Sequence, residues 1–215
     1  MAEYDTSRTS RRTVLLAAAL TASCGAPTGR GATAAPPPGC VLTVEAGEGP
    51  YYLDLDKVRS DITEGRAGVA FRLDLTLVRA SDGCRPLADA AVDVWHADAA
   101  GDYSTAKATF LRGTQVTDAA GRCTFTTIVP GWYAGLAPHI HFKVRPDSGK
   151  GVTSQFFFPE PILRQVYARH PYSRRPAPAH PNERDGRYRE TGSTMTLAPT
   201  AESAGYRAAY TVGVA

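Results

Sequence analysis

The sequence predicts an all-β domain, a sandwich or a barrel, with at most one or two short helices. Three observations carry this. Apolar residues alternate with polar ones over short runs. Clusters of turn-forming residues break those runs at close intervals. Helical periodicity shows in one segment only. In AFRLDLTLVRA, residues 70–80, Phe71, Leu73, Leu75 and Leu77 point one way and mostly charged or polar residues the other, as in a half-buried strand. SDGCRP, residues 81–86, then ends the run in a turn. AAVDVWHA (90–97) reads as the next strand. TDAAGRCTFTTIVPG (117–131) reads as a turn at Ala120-Gly121 and a strand that stops at Pro130-Gly131. HIHFKVRP (139–146) and GVTSQFFF (151–158) are two more strands, the second stopped by Pro159. PILRQVYARH (161–170) holds Ile162 and Val166 near helical register and is the one candidate helix. STMTLAP (193–199) and YRAAYTVGVA (206–215) read as final strands. The Pro-, Arg-, His- and Asn-rich stretch 169–192 reads as a surface loop.

The 215 residues carry 24 basic and 21 acidic side chains, a net charge of +3. That balance, with no basic stripe, argues against a nucleic-acid partner or an anionic membrane surface. No apolar run approaches the roughly 20 residues that cross a bilayer. Residues 1–24 have the layout of an export signal: a polar start, the pair Arg11-Arg12, and a short apolar stretch from Val14 to Leu20. The order Ser10-Arg11-Arg12-Thr13-Val14-Leu15 resembles a twin-arginine signal. An exported location, extracellular or attached to the cell envelope, follows as the expectation. Cys24 after LTAS resembles a lipoprotein processing site, which would tether the protein to a membrane; cleavage near Ala32-Thr33-Ala34 is the alternative. Residues 25–39 are a Gly/Ala/Pro linker, and the folded domain is expected over 40–215. Of the three cysteines left, Cys40–Cys84 is the favoured disulfide, because it would anchor the start of the domain.

The chemistry concentrates in PGWYAGLAPHIHFKV, residues 130–144. Side chains alternate along a strand, so His139 and His141 project on one face while Ile140 and Phe142 face the other. Two such imidazoles can share a metal ion, and imidazole suits zinc, copper, iron or nickel alike. The plain alternative is a pair of exposed strand histidines. Tyr133, six positions before His139, and Tyr103, in HADAAGDYS, add phenols. A phenol titrates near 10, but a highly charged cation at contact holds it as phenolate, so imidazole with phenolate points to ferric iron.

Four ordered segments, AVDVWHADAAGDYS, FLRGTQVTDAAG, FTTIVPGWYAGLAPHIHFKV and TSQFFFP, resemble the intradiol ring-cleaving dioxygenases. CVLTVEAGEGPYYLD and RSDITEG resemble an exported bacterial branch of that family. The resemblance implies a two-sheet β-sandwich with a largely loop-borne metal site. It implies one non-haem Fe(III) held by Tyr103, Tyr133, His139 and His141, with Tyr103 and His139 equatorial, Tyr133 and His141 axial, and a hydroxide completing the site. It implies cleavage of catechol-type rings by O2 to cis,cis-muconate-type diacids, with Tyr133 leaving the metal as it takes a substrate proton. Gln155 would orient the substrate, Trp95 would pack beside the site, and His96 would be structural or exposed.

One departure stands out. The family usually carries an arginine three residues before the first histidine of His-x-His; here that residue is Leu136, which has neither charge nor donor. Arg112 or Arg145 could supply the charge instead. A sandwich that binds iron or phenols without cleaving them is the rival reading. Zinc or copper on the two histidines alone is a third. The resemblance leaves a homodimer open.

Overall fold

The computed structural model describes residues 41–133, 135–176 and 180–215. The export signal with Cys24, the linker, and Cys40 lie outside the described residues. Cys84 is disulfide-bonded, while Cys123 is a buried free thiol.

Among the described residues nine strands and two helices follow in order: β1 Ala70–Arg79, β2 Arg85–Pro86, β3 Ala91–Trp95, β4 Arg112–Val116, β5 Arg122–Ile128, β6 His139–Arg145, β7 Val152–Phe157, α1 Glu160–Tyr167, α2 Gly186–Met195, β8 Thr200–Glu202 and β9 Gly205–Val214. They form two sheets, as expected. In the first, β1 pairs in parallel with β9 along its whole length; its other edge takes β5, and then β2, antiparallel. β8 closes the far side of β9. The second sheet runs β4-β3-β6-β7, antiparallel throughout.

The alternation in β1 fixes which side meets the core. Phe71, Leu73, Leu75 and Leu77 are all buried, whereas Arg72 and Asp74 stay on the outside, Asp74 paired with Arg207. The second sheet answers with Val92, Val94, Ile140, Phe142 and Phe156, and the Phe142 and Phe156 rings stack at 4.4 Å. Each such side chain contributes about 1.5–3 kcal/mol through burial. Because Ile140 and Phe142 are committed to the core, His139 and His141 are turned to the outer face of the sheet.

Two expectations fail near the C-terminus. Ser193–Met195 finish α2 rather than begin a strand, and Thr196 makes only an isolated bridge to Phe157. The described part of 169–192 is not a loop: it contains most of α2 and two 3-10 turns, Tyr172–Arg174 and Asn182–Arg184. Gly186, Gly192, Thr191, Ser193 and Thr194 give α2 little intrinsic preference for a helix. What forms it is a cap and a buried face. The Asp185 carboxylate accepts from the amides of Arg187 (2.7 Å) and Tyr188 (3.2 Å), and Thr191, Gly192 and Met195 are buried. The preceding segment is pinned as well: the buried Asn182 donates to Phe158 O at 2.8 Å, and the buried Tyr172 hydroxyl bonds Val129 O.

Candidate metal centre

The outer face of the second sheet carries one continuous row. Residues directly opposite in an antiparallel pair share a face. Trp95 lies opposite His141, and His141 opposite Gln155; one step along, His139 lies opposite Phe157. The Trp95 indole stacks on the His141 ring, with centroids 4.9 Å apart and 3° between planes. Both histidines and Gln155 are fully or almost fully buried.

The tautomer of His139 follows from its partner. Nδ1 lies 2.6 Å from Ala137 O, and a carbonyl only accepts, so Nδ1 carries the proton. The lone pair is then on Nε2, which lies 2.9 Å from His141 Nε2. Two nitrogens bound at right angles to one metal at about 2.1 Å would stand about 3.0 Å apart. The second nitrogen of His141, Nδ1, is buried without a hydrogen-bond partner. Burial pushes the pKa of His139 down to about 4 and that of His141 well below its usual range, the latter further lowered by His139 and Arg187. Both rings are therefore neutral near pH 7, as ligands must be.

The phenols arrive on loops. Tyr103 follows β3 on the turn 98–104, and Tyr133 lies on the segment between β5 and β6. Two glycines let these loops touch backbone to backbone. A Cβ on Gly131 would sit 2.5 Å from Ala99 O and 2.6 Å from Asp98 O, and Gly101, at φ +87°, presses against Trp132 O. Gly131 N instead donates to Asp98 O at 3.0 Å. The Asp98 carboxylate holds its own turn through the amides of Ala100 and Asp102. Arg175 staples both loops, donating to Ala99 O (3.1 Å) and Trp132 O (2.6 Å) while its guanidinium covers the Trp132 ring. The result brings the Tyr103 and Tyr133 rings to 5.6 Å, Tyr133 to 6.0 Å from His139, and Tyr103 to 6.3 Å from His141. Tyr51 stacks on Tyr103 at 4.2 Å and meets Tyr133 edge-on, forming a partly exposed aromatic wall.

All five sequence candidates, Tyr103, Tyr133, His139, His141 and Gln155, thus converge. Several of their polar atoms are left over: the Tyr103 hydroxyl and both amide atoms of Gln155 are buried and make no hydrogen bond of normal geometry. Orphans of this kind are expected where a ligand or ion completes the site. Burial, and then repulsion from Tyr133, drives the Tyr103 pKa far up. Burial also raises Tyr133, against the opposing influence of the Tyr103 hydroxyl and the Arg187 guanidinium. Neither phenol would ionise here without a cation. Among the described residues no group of three or more His, Cys, Asp or Glu is placed to hold a metal, so the two histidines need the phenols to complete a site. The donor set and the orphaned atoms fit a ferric ion.

The arginines settle differently from expectation. Arg112 is buried but committed, with Nε on Ser104 Oγ (2.6 Å), Nη2 on Ser104 O (2.8 Å) and Nη1 on Tyr51 O (2.9 Å). It fixes the tyrosine loop. Arg145 is bound to Asp93 and Asp56. His96 is structural and buried, with Nε2 2.6 Å from Thr127 Oγ1. Sequence reasoning missed Arg175, Arg187 and Asp185. Only Asp185 carried a local signal, a capping residue at a helix start; the arginines find their roles through contacts distant in the chain.

A family model described as Dioxygenase matches residues 48–138. An intradiol ring-cleavage dioxygenase from Tetranychus urticae shares the fold with a TM-score of 0.76 and 31% identity, over 81% of this chain and 94% of that one. The protocatechuate 3,4-dioxygenase beta chain of Burkholderia cepacia is 33% identical over 129 residues, 52% of this chain and 54% of its own length. Chlorocatechol 1,2-dioxygenase of Pseudomonas sp. (strain P51) is 32% identical over 103 residues, 38% of this chain and 41% of its own length. The chain spans about half the length of these two curated relatives. A shared sandwich, covering most of both chains at 31% identity to the Tetranychus urticae dioxygenase, places the chain in the family of intradiol ring-cleaving dioxygenases.

Proposed function

We propose that the protein is an Fe(III)-dependent dioxygenase that cleaves catechol-type rings between the two hydroxyl-bearing carbons, giving cis,cis-muconate-type diacids. One observation carries this reading most: two neutral imidazole nitrogens 2.9 Å apart, with two half-buried tyrosine rings beside them, Tyr133 at 6.0 Å from His139 and Tyr103 at 6.3 Å from His141. The ligands would be His139 and His141 through Nε2, and Tyr103 and Tyr133 through their hydroxyl oxygens. Bound there, Fe(III) would supply Lewis acidity and a template for a chelating catecholate. The protein's own groups do the rest. Ala137 O holds the His139 proton on Nδ1 and keeps Nε2 free. The Trp95 ring fixes the plane of His141. Tyr133, only half-buried, would be the group that, as phenolate on the metal, accepts a proton from an incoming catechol at its hydroxyl oxygen. The unpaired amide of Gln155 orients the ring. Tyr51 offers a flat face beside the entrance. Export by the twin-arginine route is part of the same proposal, since that route carries folded proteins with their metal in place; its residues, and any lipid tether at Cys24, lie outside the described ones.

The test begins with iron and colour. The purified full chain should hold about one iron and absorb visible light through tyrosinate–Fe(III) charge transfer. Catechol without oxygen should shift that absorption, and admitting oxygen should consume it with ring cleavage. A colourless protein that rejects iron would sink the reading.

A further inference from the structure

The site as described has no cation with donors free for a substrate: the charge of Arg112 reaches Tyr103 and His141, but its guanidinium is bonded to Ser104 and Tyr51. Leu136 cannot supply one, and Arg112 and Arg145 are committed elsewhere. We propose that Arg187, on the first turn of α2, is the cation of this site and binds the anionic oxygens of a catechol seated beside Tyr133.

Three observations support it. First, position: a Cβ built on Gly49 would lie 3.4 Å from His141 Cε1, 3.8 Å from His141 Nε2 and 4.0 Å from Arg187 Nη1, so ring and guanidinium flank the same point. Second, availability: Arg187 is half-buried, and its only hydrogen bonds run through its backbone, the amide to Asp185 and the carbonyl from Thr191; its side chain has no acidic partner among the described residues. A guanidinium half removed from water with five unused donors is a binding group waiting for an anion. Third, anchoring: Asp185 caps α2 with one oxygen and with the other accepts from Ala137 N at 2.7 Å, two residues before His139. Tyr188 packs edge-on against Phe157 at 5.1 Å, and Phe157 is the cross-strand partner of His139. The helix bearing Arg187 is therefore tied to the strand bearing the histidines, and the guanidinium is positioned with the site rather than left to roam.

The catalytic consequence rests on the dioxygenase reading; the binding role does not, so the two are tested apart. Metal-free full-length protein, with its R187M and R187K variants, is titrated with 4-nitrocatechol, whose anion changes its absorption on binding. Wild type should bind, Arg187→Met should bind about 10-fold more weakly, and Arg187→Lys should recover most of the loss, with melting temperatures unchanged. No binding by wild type, or equal binding by wild type and R187M, overturns the proposal. With iron loaded, R187M should lower kcat on the order of 100-fold while holding the same iron. If iron-loaded wild type cleaves nothing but the metal-free difference persists, the dioxygenase reading fails and the assignment of Arg187 stands. If wild type cleaves catechol and R187M equals it in affinity and kcat, the assignment fails alone.

Discussion

The two halves of the site are built by different means. The imidazole half belongs to the sheet: His139 and His141 stand where strand alternation puts them, opposite Phe157 and Gln155, with Ile140 and Phe142 driven into the core behind them. The phenol half belongs to loops: Tyr103 and Tyr133 are separated by β4, a short turn and β5, and meet because Gly101, Gly131, Asp98, Arg112 and Arg175 fix the backbones that carry them. The sheet half is held by burial, which is large and insensitive to direction. The loop half is held by hydrogen bonds and close approach, each of them modest and each dependent on exact backbone placement.

That contrast can be broken from either side. The largest effect should come from Phe142→Ala, which opens a cavity behind the histidines and should cost about 3–5 kcal/mol in chemical denaturation, losing both halves together with the fold. Acid should strike the sheet half next. His139 and His96 each have a pKa depressed to about 4, so between there and the unfolded value near 6.5 the unfolded chain binds protons that the native state refuses. Stability is full above that window and falls as the pH drops through it, by about 2 kcal/mol per histidine at pH 5; a metal-free protein whose melting temperature is flat from pH 7 to 4.5 would contradict this. Gly131→Ala should act on the loops alone. It should cost about 1–3 kcal/mol through overpacking, leave the sheet's circular dichroism intact, and abolish the tyrosinate colour of iron-loaded protein. Asp185→Ala removes the α2 cap and the bond to Ala137 N, at about 0.5–2 kcal/mol; amide exchange should speed in α2 and at Ala137 while β1 stays protected. The smallest effect on stability should be Tyr103→Phe. Its hydroxyl has no hydrogen bond of normal geometry, so metal-free stability should hold or rise by up to about 1 kcal/mol, whereas iron affinity should drop. Zinc or copper on the histidines alone would instead survive that change untouched.

Legibility in the sequence followed the same division. The alternation of β1 and β6 could be read directly, because period-two patterning is a local consequence of strand geometry. The helix α1 was legible, from the candidate at 161–170, for the analogous reason. The helix α2 was not: its glycines and hydroxyl side chains argue against it, and a cap together with tertiary burial overrides them. Trp95 as a packing residue beside the site was anticipated through the family resemblance, but its parallel stacking on His141 depends on the register of β3 against β6, which no single segment encodes. Leu136 was visible as a missing charge, yet neither Arg112 nor Arg145, which could have reached in, has donors to spare: Arg112 is bonded to Ser104 and to the distant Tyr51 O, and Arg145 to the distant Asp93.

By itself, then, the sequence determined the strand-rich class, the face on which His139 and His141 stand, and the residue types that suit a ferric ion, because each of these is local geometry or side-chain chemistry. Only the tertiary structure decided that Tyr103 and Tyr133 meet those histidines, that the Gln155 amide and the Tyr103 hydroxyl are buried without a hydrogen bond of normal geometry, and that Arg112 and Arg145 are bound while, among the described residues, the Arg187 side chain is not. Those outcomes depend on loop closure and on competition among distant hydrogen-bonding partners, and such competition is resolved only when the whole chain has packed.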